Sequence, residues 1–351
     1  MLFAFTAALL GGLFATPVCR WAALRWGIVD QPGIRKVHRK AMPYMGGVGI
    51  LTGVWLGGWA TFQFTHDTRV LAVLCLATLI TAIGLLDDRF NLSPVIKLGG
   101  QLLVAILTIV AGISIPVVVP PWGGEWVFGI LEWPIAVFWM VGVMNMINLI
   151  DGLDGLAGGI SVISAIGLAI LSILGGYTAP TMLAVTVAGA GVGFLKYNTT
   201  PATIFMGDAG ALLLGYLLAV ISMMGILTAT HTFSSAIPMV VLAIPIMDTL
   251  IAIIRRRRRK QPIFSADKEH LHHQLLRSGY SVRQSVMMIY TLSVLLSGLG
   301  VVMILLPTHS GVALIGGVAL LVIGIVAGVR WVTHRSKRTP PTLLPTEKPL
   351  Q

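Results

Sequence analysis

Apolar windows of ~17–23 residues recur along the chain with short breaks between them, and this pattern restricts the fold more than any other feature. Eleven are readable, near 2–18, 46–64, 70–86, 97–119, 134–150, 156–174, 181–195, 207–227, 236–254, 285–306 and 311–329. A helix crossing ~30 Å of hydrocarbon needs about 20 such residues, and it alone satisfies its backbone N–H and C=O groups internally. Strands of a membrane barrel would be ~10 residues of alternating polarity, which the sequence lacks. Of the 351 residues, 56% are hydrophobic and 11% are charged, with a mean hydropathy of +0.89. A soluble domain carries about twice that charge. The predicted fold is therefore an all-α polytopic membrane protein with about eleven transmembrane helices. It forms one transmembrane domain over residues 1–335, followed by a Pro-, Thr- and Lys-rich tail over 336–351 predicted to be disordered.

The net charge of +11 reports topology rather than nucleic-acid binding. Eleven crossings divide the loops into two sets, and 23 of the 24 Lys and Arg residues fall in one of them, Arg69 being the exception. By the positive-inside rule the basic loops and the C-terminus are cytoplasmic and the N-terminus faces out. The first apolar segment has no basic residue before it and Arg20 and Arg25 after it, so a retained helix is expected rather than a cleaved signal peptide. Two cysteines, Cys19 and Cys75, imply neither a disulfide framework nor a metal cluster.

Polar residues gather at the cytoplasmic ends of these segments. The stretch Asn145–Gly159 reads NMINLIDGLDGLAGG. On a helix, Asn145, Asn148 and Asp151 are three residues apart and fall roughly on one face, with Asp154 a further step along. Carboxylates at that depth are costly unless they line a wet cavity, pair, or hold a cation, although a polar seam between helices is the plain alternative. The third segment ends in LLDDRFNLSP. Asp87 and Asp88 point about 100° apart, so one faces a cavity while the other caps, hydrogen-bonds or pairs with Arg89. Acidic residues at a helix C-terminus oppose its dipole, and Lys97, opening the next segment, offers compensation or meets a phosphate. In KYNTTPATIFMGDAG, Gly207, Asp208 and Gly210 stand where the eighth helix begins, a place where backbone N–H groups reach an anion and Asp208 offers oxygen to a hard cation. An N-capping role would explain Asp208 alone.

Three further stretches are more ambiguous. The first cytoplasmic loop carries Asp30, Arg35, Lys36 and His38, which either follow from topology or serve phosphates. Arg255–Lys260, six consecutive basic residues after Asp248, reads as a topological anchor touching anionic lipid. Beyond it, SADKEHLHHQLLRSGYS supplies Asp267, His270, His272, His273 and Arg277. Histidines two and three apart cannot share one helical face, so a loop entering a helix is expected, with neutral imidazoles and Arg277 suited to a diphosphate. The outer loop PPWGGEWVFGILEW, over Pro120–Trp133, reads as an aromatic interfacial turn. Gathered by helix packing, Asp87, Asp88, Asp151, Asp154 and Asp208 would form an acidic pocket rimmed by basic loops and open to lipid. Such a site suits one water-soluble phosphate compound and one lipid phosphate.

Five blocks carry a resemblance: DQPGIRKVHRKAMPYMGG, GLLDDRFNLSPVIKLGGQ, NMINLIDGLDGLAGG, NTTPATIFMGDAGALLLGY and DKEHLHHQLLRSGYS. In that order the chain resembles the polyprenyl-phosphate N-acetylhexosamine-1-phosphate transferases, the superfamily that includes phospho-MurNAc-pentapeptide transferase. The resemblance implies transfer of a sugar 1-phosphate from a UDP-sugar to undecaprenyl phosphate, with release of UMP and with Mg²⁺ or Mn²⁺ as cofactor. It places the site on the cytoplasmic face of a bacterial inner membrane, at the first membrane step of a cell-surface polysaccharide such as O-antigen. The peptidoglycan branch has three consecutive histidines followed by an acidic residue, whereas this chain reads HLHHQLL, a form similar to the UDP-GlcNAc-using branch. By the same resemblance Asp208 is a metal ligand, Asp151 with Asn148 is the essential pair beside it, and Asp154 is the nucleotide-side carboxylate. Phe205 stacks on uracil, Asp87 with Asp88 is the base toward the lipid phosphate, and Lys97, His270, His272 and His273 handle phosphates. Asn145 and Arg277 join the substrate-binding set, and a homodimer is left open. The rival class is an ion-coupled transporter or flippase, which would place polar residues at the bilayer midplane on broken helices.

Overall fold

The computed structural model describes residues 1–31, 41–120, 124–227, 237–261, 269–304 and 316–317. Arg35, Lys36, His38, Asp267, the tail and all but two residues of the eleventh apolar window lie outside the described residues. Helix α1 runs over Leu2–Trp26, followed by a two-residue strand pair, β1 (Val29–Asp30) antiparallel to β2 (Met42–Pro43). Then come α2 (Gly46–Thr65), α3 (Thr68–Phe90) and α4 (Pro94–Val110), a second short pair β3 (Val117–Val118) and β4 (Trp126–Val127), and α5 (Glu132–Ile150). The chain continues through α6 (Leu156–Leu174), α7 (Thr178–Asn198), α8 (Gly207–Leu227), α9 (Ile237–Val241), α10 (Ala243–Arg258), α11 (Leu271–Arg277) and α12 (Val282–Ile304).

Seven of the described helices are long and apolar enough to cross a membrane. The protein is thus an all-α membrane protein, and among the described residues helices occupy the first ten expected windows with two departures. The fourth window was expected to be helical to residue 119, but α4 ends at Val110. Gly112 then adopts φ +87°, and Pro116 with the β-branched run around it sends the chain into β3 instead. The ninth window is broken at Leu242 into α9 and α10. Pro245 has no N–H to give to the carbonyl of Val241, and the Ser164 hydroxyl donates to that carbonyl at 3.3 Å.

Helix α8 is the axis of the bundle: 94% of its apolar window is buried, against 33% for α1 and α12. A helix apolar on every side belongs in the centre, and α8 is packed by α2, α3, α5, α6 and α7. Hydroxyls tie it to its neighbours, with Tyr216 3.1 Å from Thr108 of α4 and Ser222 accepting the Trp139 indole N–H of α5 at 2.9 Å. Since lipid tails are as apolar as leucine, helices here associate by close van der Waals contact over small residues. At Gly12 an added Cβ would stand 2.5 Å from the Ala190 carbonyl oxygen, and at Gly53 it would stand 2.5 Å from that of Ala8.

The tightest approach of backbone to backbone at a glycine matters most for the site. Gly47 at the start of α2 lies against the first turn of α8, where a Cβ would meet the Gly210 nitrogen at 2.3 Å. The strand-like exchange Phe205 N–H to Pro43 O (2.9 Å), Gly46 N–H to Phe205 O (3.0 Å) and Gly47 N–H to Met206 O (3.0 Å) fastens the α8 entry to the β2–α2 link. Gly47→Ala forces backbone against backbone, and we expect a loss of ~1–3 kcal/mol. A thermal melt of purified protein in detergent, read beside Gly99→Ala, whose Cβ would meet nothing within 4 Å, checks this: equal melting temperatures would remove the packing role.

Candidate active site

The N-terminus of α8 is the anchor. Sequence reading expected its glycines to open backbone N–H groups to an anion, and the anion found there is a side chain of the protein. Asp88, from the last turn of α3, accepts the N–H of Asp208 at 2.8 Å and that of Ala209 at 3.2 Å. Asp88 rather than Asp208 therefore caps α8, and the positive end of that helix offsets a carboxylate that its own helix dipole opposes. Gly207 sits at φ +67°, and a Cβ there would fall 2.3 Å from a carboxylate oxygen of Asp88, so glycine is required twice over.

Asp87 points elsewhere, as neighbours on a helix must. Its Oδ1 accepts the Leu92 N–H at 2.8 Å, and its Oδ2 lies 2.9 Å from Nζ of Lys97. The same ammonium also contacts Asp208. One lysine thus bridges the carboxylates of two helices that are far apart in sequence, which answers the dipole problem posed by Asp87. Arg89 takes no part and donates to the Trp26 carbonyl at 2.7 Å.

The turn between α5 and α6 brings the next pair. Helix α5 stops at Ile150, so Asn148 lies on its last turn and Asp151 just past its end. Asp154 accepts the Ala202 N–H at 3.0 Å, while Asn198 takes the Gly155 N–H at 3.1 Å and donates to the Ile204 carbonyl at 2.9 Å. Tyr290 of α12 donates to the Gly155 carbonyl at 2.5 Å. The turn and the 199–206 loop are thereby stitched into one body. Burial, with Asp208, Asp88 and Asp154 nearby, pushes the Asp151 carboxyl up to about 8.

A cavity of about 550 Å³ is lined by Asp88, Asn148, Asp151, Asp154, Phe205 and Asp208 among others, while Asp87 and Lys97 stand beside it, behind Asp208, and do not line it. Tyr44 and His273 also reach it, and the Tyr44 ring stands 6.2 Å from that of Phe205, tilted by 50°. Burial, with Asp30 and Asp88 adding to it, raises the Tyr44 phenol above its usual range, so it remains a neutral donor. Five carboxylates, of Asp30, Asp88, Asp151, Asp154 and Asp208, line one small volume and repel one another, and that arrangement calls for a cation. Among the described residues no three His, Cys, Asp or Glu side chains stand together as a protein-only metal cage. Asp151 and Asp208 nevertheless fit magnesium, which takes one or two carboxylates and fills its remaining positions with water and phosphate oxygen.

The remaining expected residues divide. His273 lines the cavity, whereas His270 and His272 stand behind it. His270 precedes α11 in extended conformation, so the cluster is a loop entering a helix, as the spacing predicted. His272 is 1% exposed, parallel to His270 with centroids 6.0 Å apart, and its ring lies against Gly152. Burial, reinforced by His273, pushes it down to about 4, so it is neutral. Arg277 closes α11 on the exposed side and does not line the cavity. Asn145 does not line it either, because its amide is committed one turn deeper: it donates to Gln101 at 2.8 Å and to the Val141 carbonyl at 2.8 Å. That pair is the polar seam weighed as the plain alternative for this stretch. The basic run is likewise divided: Arg255 and Arg256 are buried, and Arg255 and Arg259 pair with Glu269, so only part of it is placed to meet lipid. Sequence reading singled out neither Tyr44 nor Asn198 for the site. Both lie within quoted blocks, but nothing in their local pattern separates them from ordinary loop residues.

Comparison with known proteins bears on this geometry. The family model described as glycosyl transferase family 4 matches residues 70–226, from within α3 to the end of α8. The chain is 42% identical over 295 residues to the "probable undecaprenyl-phosphate N-acetylglucosaminyl 1-phosphate transferase" of Bacillus subtilis, covering 84% of this chain and 82% of that one. It is 34% identical to the decaprenyl-phosphate N-acetylglucosaminephosphotransferase of Mycolicibacterium smegmatis, over 81% of this chain and 77% of the relative. It is 29% identical to the undecaprenyl-phosphate alpha-N-acetylglucosaminyl 1-phosphate transferase of Salmonella typhi, over 81% and 78%. With identity of that level sustained across most of both chains, and with the matched segment supplying the carboxylates at the head of α8, the protein belongs to glycosyl transferase family 4.

Proposed function

We propose that the protein transfers GlcNAc 1-phosphate from UDP-GlcNAc to undecaprenyl phosphate and releases UMP. The observation that carries this is the convergence of Asp88, Asp151 and Asp208 on one cavity, with Lys97 bridging Asp208 to Asp87 beside it. The names of the relatives support the acceptor class and the transferred sugar, and none of them favours a MurNAc-pentapeptide substrate or a transporter. The basic loops support a cytoplasmic site in a bacterial inner membrane, with eleven crossings, the N-terminus outside and the C-terminus inside.

In this reading a phosphate oxygen of the lipid attacks the β-phosphorus of the UDP-sugar. The bond from that phosphorus to the bridging oxygen breaks, the oxygen leaves with UMP, and the product is a lipid diphosphate sugar. A divalent ion at Asp151 and Asp208 would neutralise the diphosphate and polarise its phosphorus. The protein's own groups position: Phe205 and Tyr44 offer ring faces to the base, and Asp154 and Asn198 hold the loop beneath it. Lys97 holds positive charge beside the reacting phosphates, and Asp87 lies next to it as the acceptor for a proton from the lipid phosphate. Both oxygens of Asp88 are engaged by backbone N–H groups, which favours a single displacement over a route through a phosphorylated carboxylate at that residue.

The test is direct: purified protein, tritiated UDP-GlcNAc, undecaprenyl phosphate and Mg²⁺, scored for labelled lipid. Wild type should label the lipid, chelation by EDTA should stop it, and added Mg²⁺ should restore it; labelling unaffected by chelation would remove the metal from the scheme. Asp208→Asn should lower turnover by ~10³-fold or more, since the charge is lost and the amide oxygen left behind is a much weaker ligand. Lys97→Met should cost roughly 10²-fold, because it deletes a charge beside the phosphates and leaves Asp87 and Asp208 repelling each other. Wild-type rates in either variant would contradict the assignment.

A further inference from the structure

Asp248 belongs to none of the roles above, yet it is 8% exposed inside a helix of a membrane protein, where a carboxylate is costly. Both of its oxygens reach the loop that carries the histidines. Oδ2 lies 2.8 Å from Nδ1 of His270, and Oδ1 accepts the Leu271 N–H at 2.8 Å. An ionised carboxylate only accepts, so His270 carries its proton on Nδ1. Leu271 opens α11, and its N–H is one that the helix itself leaves unpaired. Seven and eleven residues along from Asp248, on the same face, Arg255 and Arg259 pair with Glu269 at 3.3 and 2.9 Å. Three consecutive residues, Glu269, His270 and Leu271, are therefore held by one stripe of α10. The far side of the unit is seated too, since the His272 ring lies against Gly152, next to Asp151, leaving no room for a Cβ there. Between these two fixings His273 is presented to the cavity.

We propose that Asp248 is a positioning residue: by clamping His270 and Leu271 it ties the entry of α11 to α10 and sets the place of His273 in the donor-substrate cavity. The inference rests on the transfer reaction above, and its test separates the two. The kcat and KM for UDP-GlcNAc are measured for wild type, Asp248→Ala, His273→Ala and the double variant. Each single change should lower kcat/KM by ~10–100-fold, as displacement of a positioned group does. The double variant should lose no more than the larger single loss, because the two residues act through one contact. Losses that multiply, or an Asp248→Ala rate within about twofold of wild type, overturn the proposal. Hydrogen exchange over residues 269–277 should rise in Asp248→Ala while α5 and α8 keep their protection; unchanged exchange overturns the clamp even if no sugar is transferred. If Asp248→Ala gives no monodisperse protein, Asp248→Leu, which fills the space and can make neither contact, replaces it, and the same criteria apply. A wild type that labels no lipid refutes the assigned reaction and leaves the exchange measurement to judge the clamp.

Discussion

The structure depends on keeping several negative charges together at one end of a bundle that is otherwise apolar. Carboxylates in that position are tolerable only if something positive stands beside each, and the fold supplies it in different ways. The first turn of α8 supplies backbone N–H groups and the positive end of its dipole to Asp88. Lys97 supplies one ammonium to Asp87 and Asp208 together. Asp151, facing Asp208, Asp88 and Asp154, is left most in need of a cation, which is the property a phosphate-handling site wants.

This explains why the centre of the bundle is so tightly built. Helix α8 is buried on all sides because its N-terminus has to arrive at one place, and Gly47 and Gly207 are small because backbone and carboxylate come too close for a side chain. The loops around it are held in the same spirit. Asn198 and Tyr290 both bind Gly155, Pro43 binds Phe205, and Asp248 binds the entry to α11. Few of these side chains reach the cavity; most fix the backbone of those that do, at the precision that phosphoryl transfer by positioning demands.

The long apolar windows were legible because hydrophobic length is a local property of the chain, and the membrane enforces it. The breaks within them were less so. Pro116 and Gly112 end α4 early, and Pro245 splits the ninth window, but a proline in an apolar run reads as a kink or an end only once its freed carbonyl is seen to have another partner. The divergence of Asp87 and Asp88 followed from 100° per residue, whereas which of the two faced α8 did not.

The sequence by itself determined the class of protein, its membrane segments, the clustering of polar blocks between them, and the family those blocks resemble. All of these reside in composition, periodicity and local spelling. Only the tertiary structure decided that Asp88 caps α8, that Lys97 serves two carboxylates, that Asn145 pairs with Gln101 outside the cavity, and that Asp248 holds His270. Except for Lys97 and Asp87, which are 10 apart, each of those contacts joins residues at least 22 apart in the chain. Long polar side chains have several possible partners in sequence and receive one only when helix packing brings it within about 3 Å.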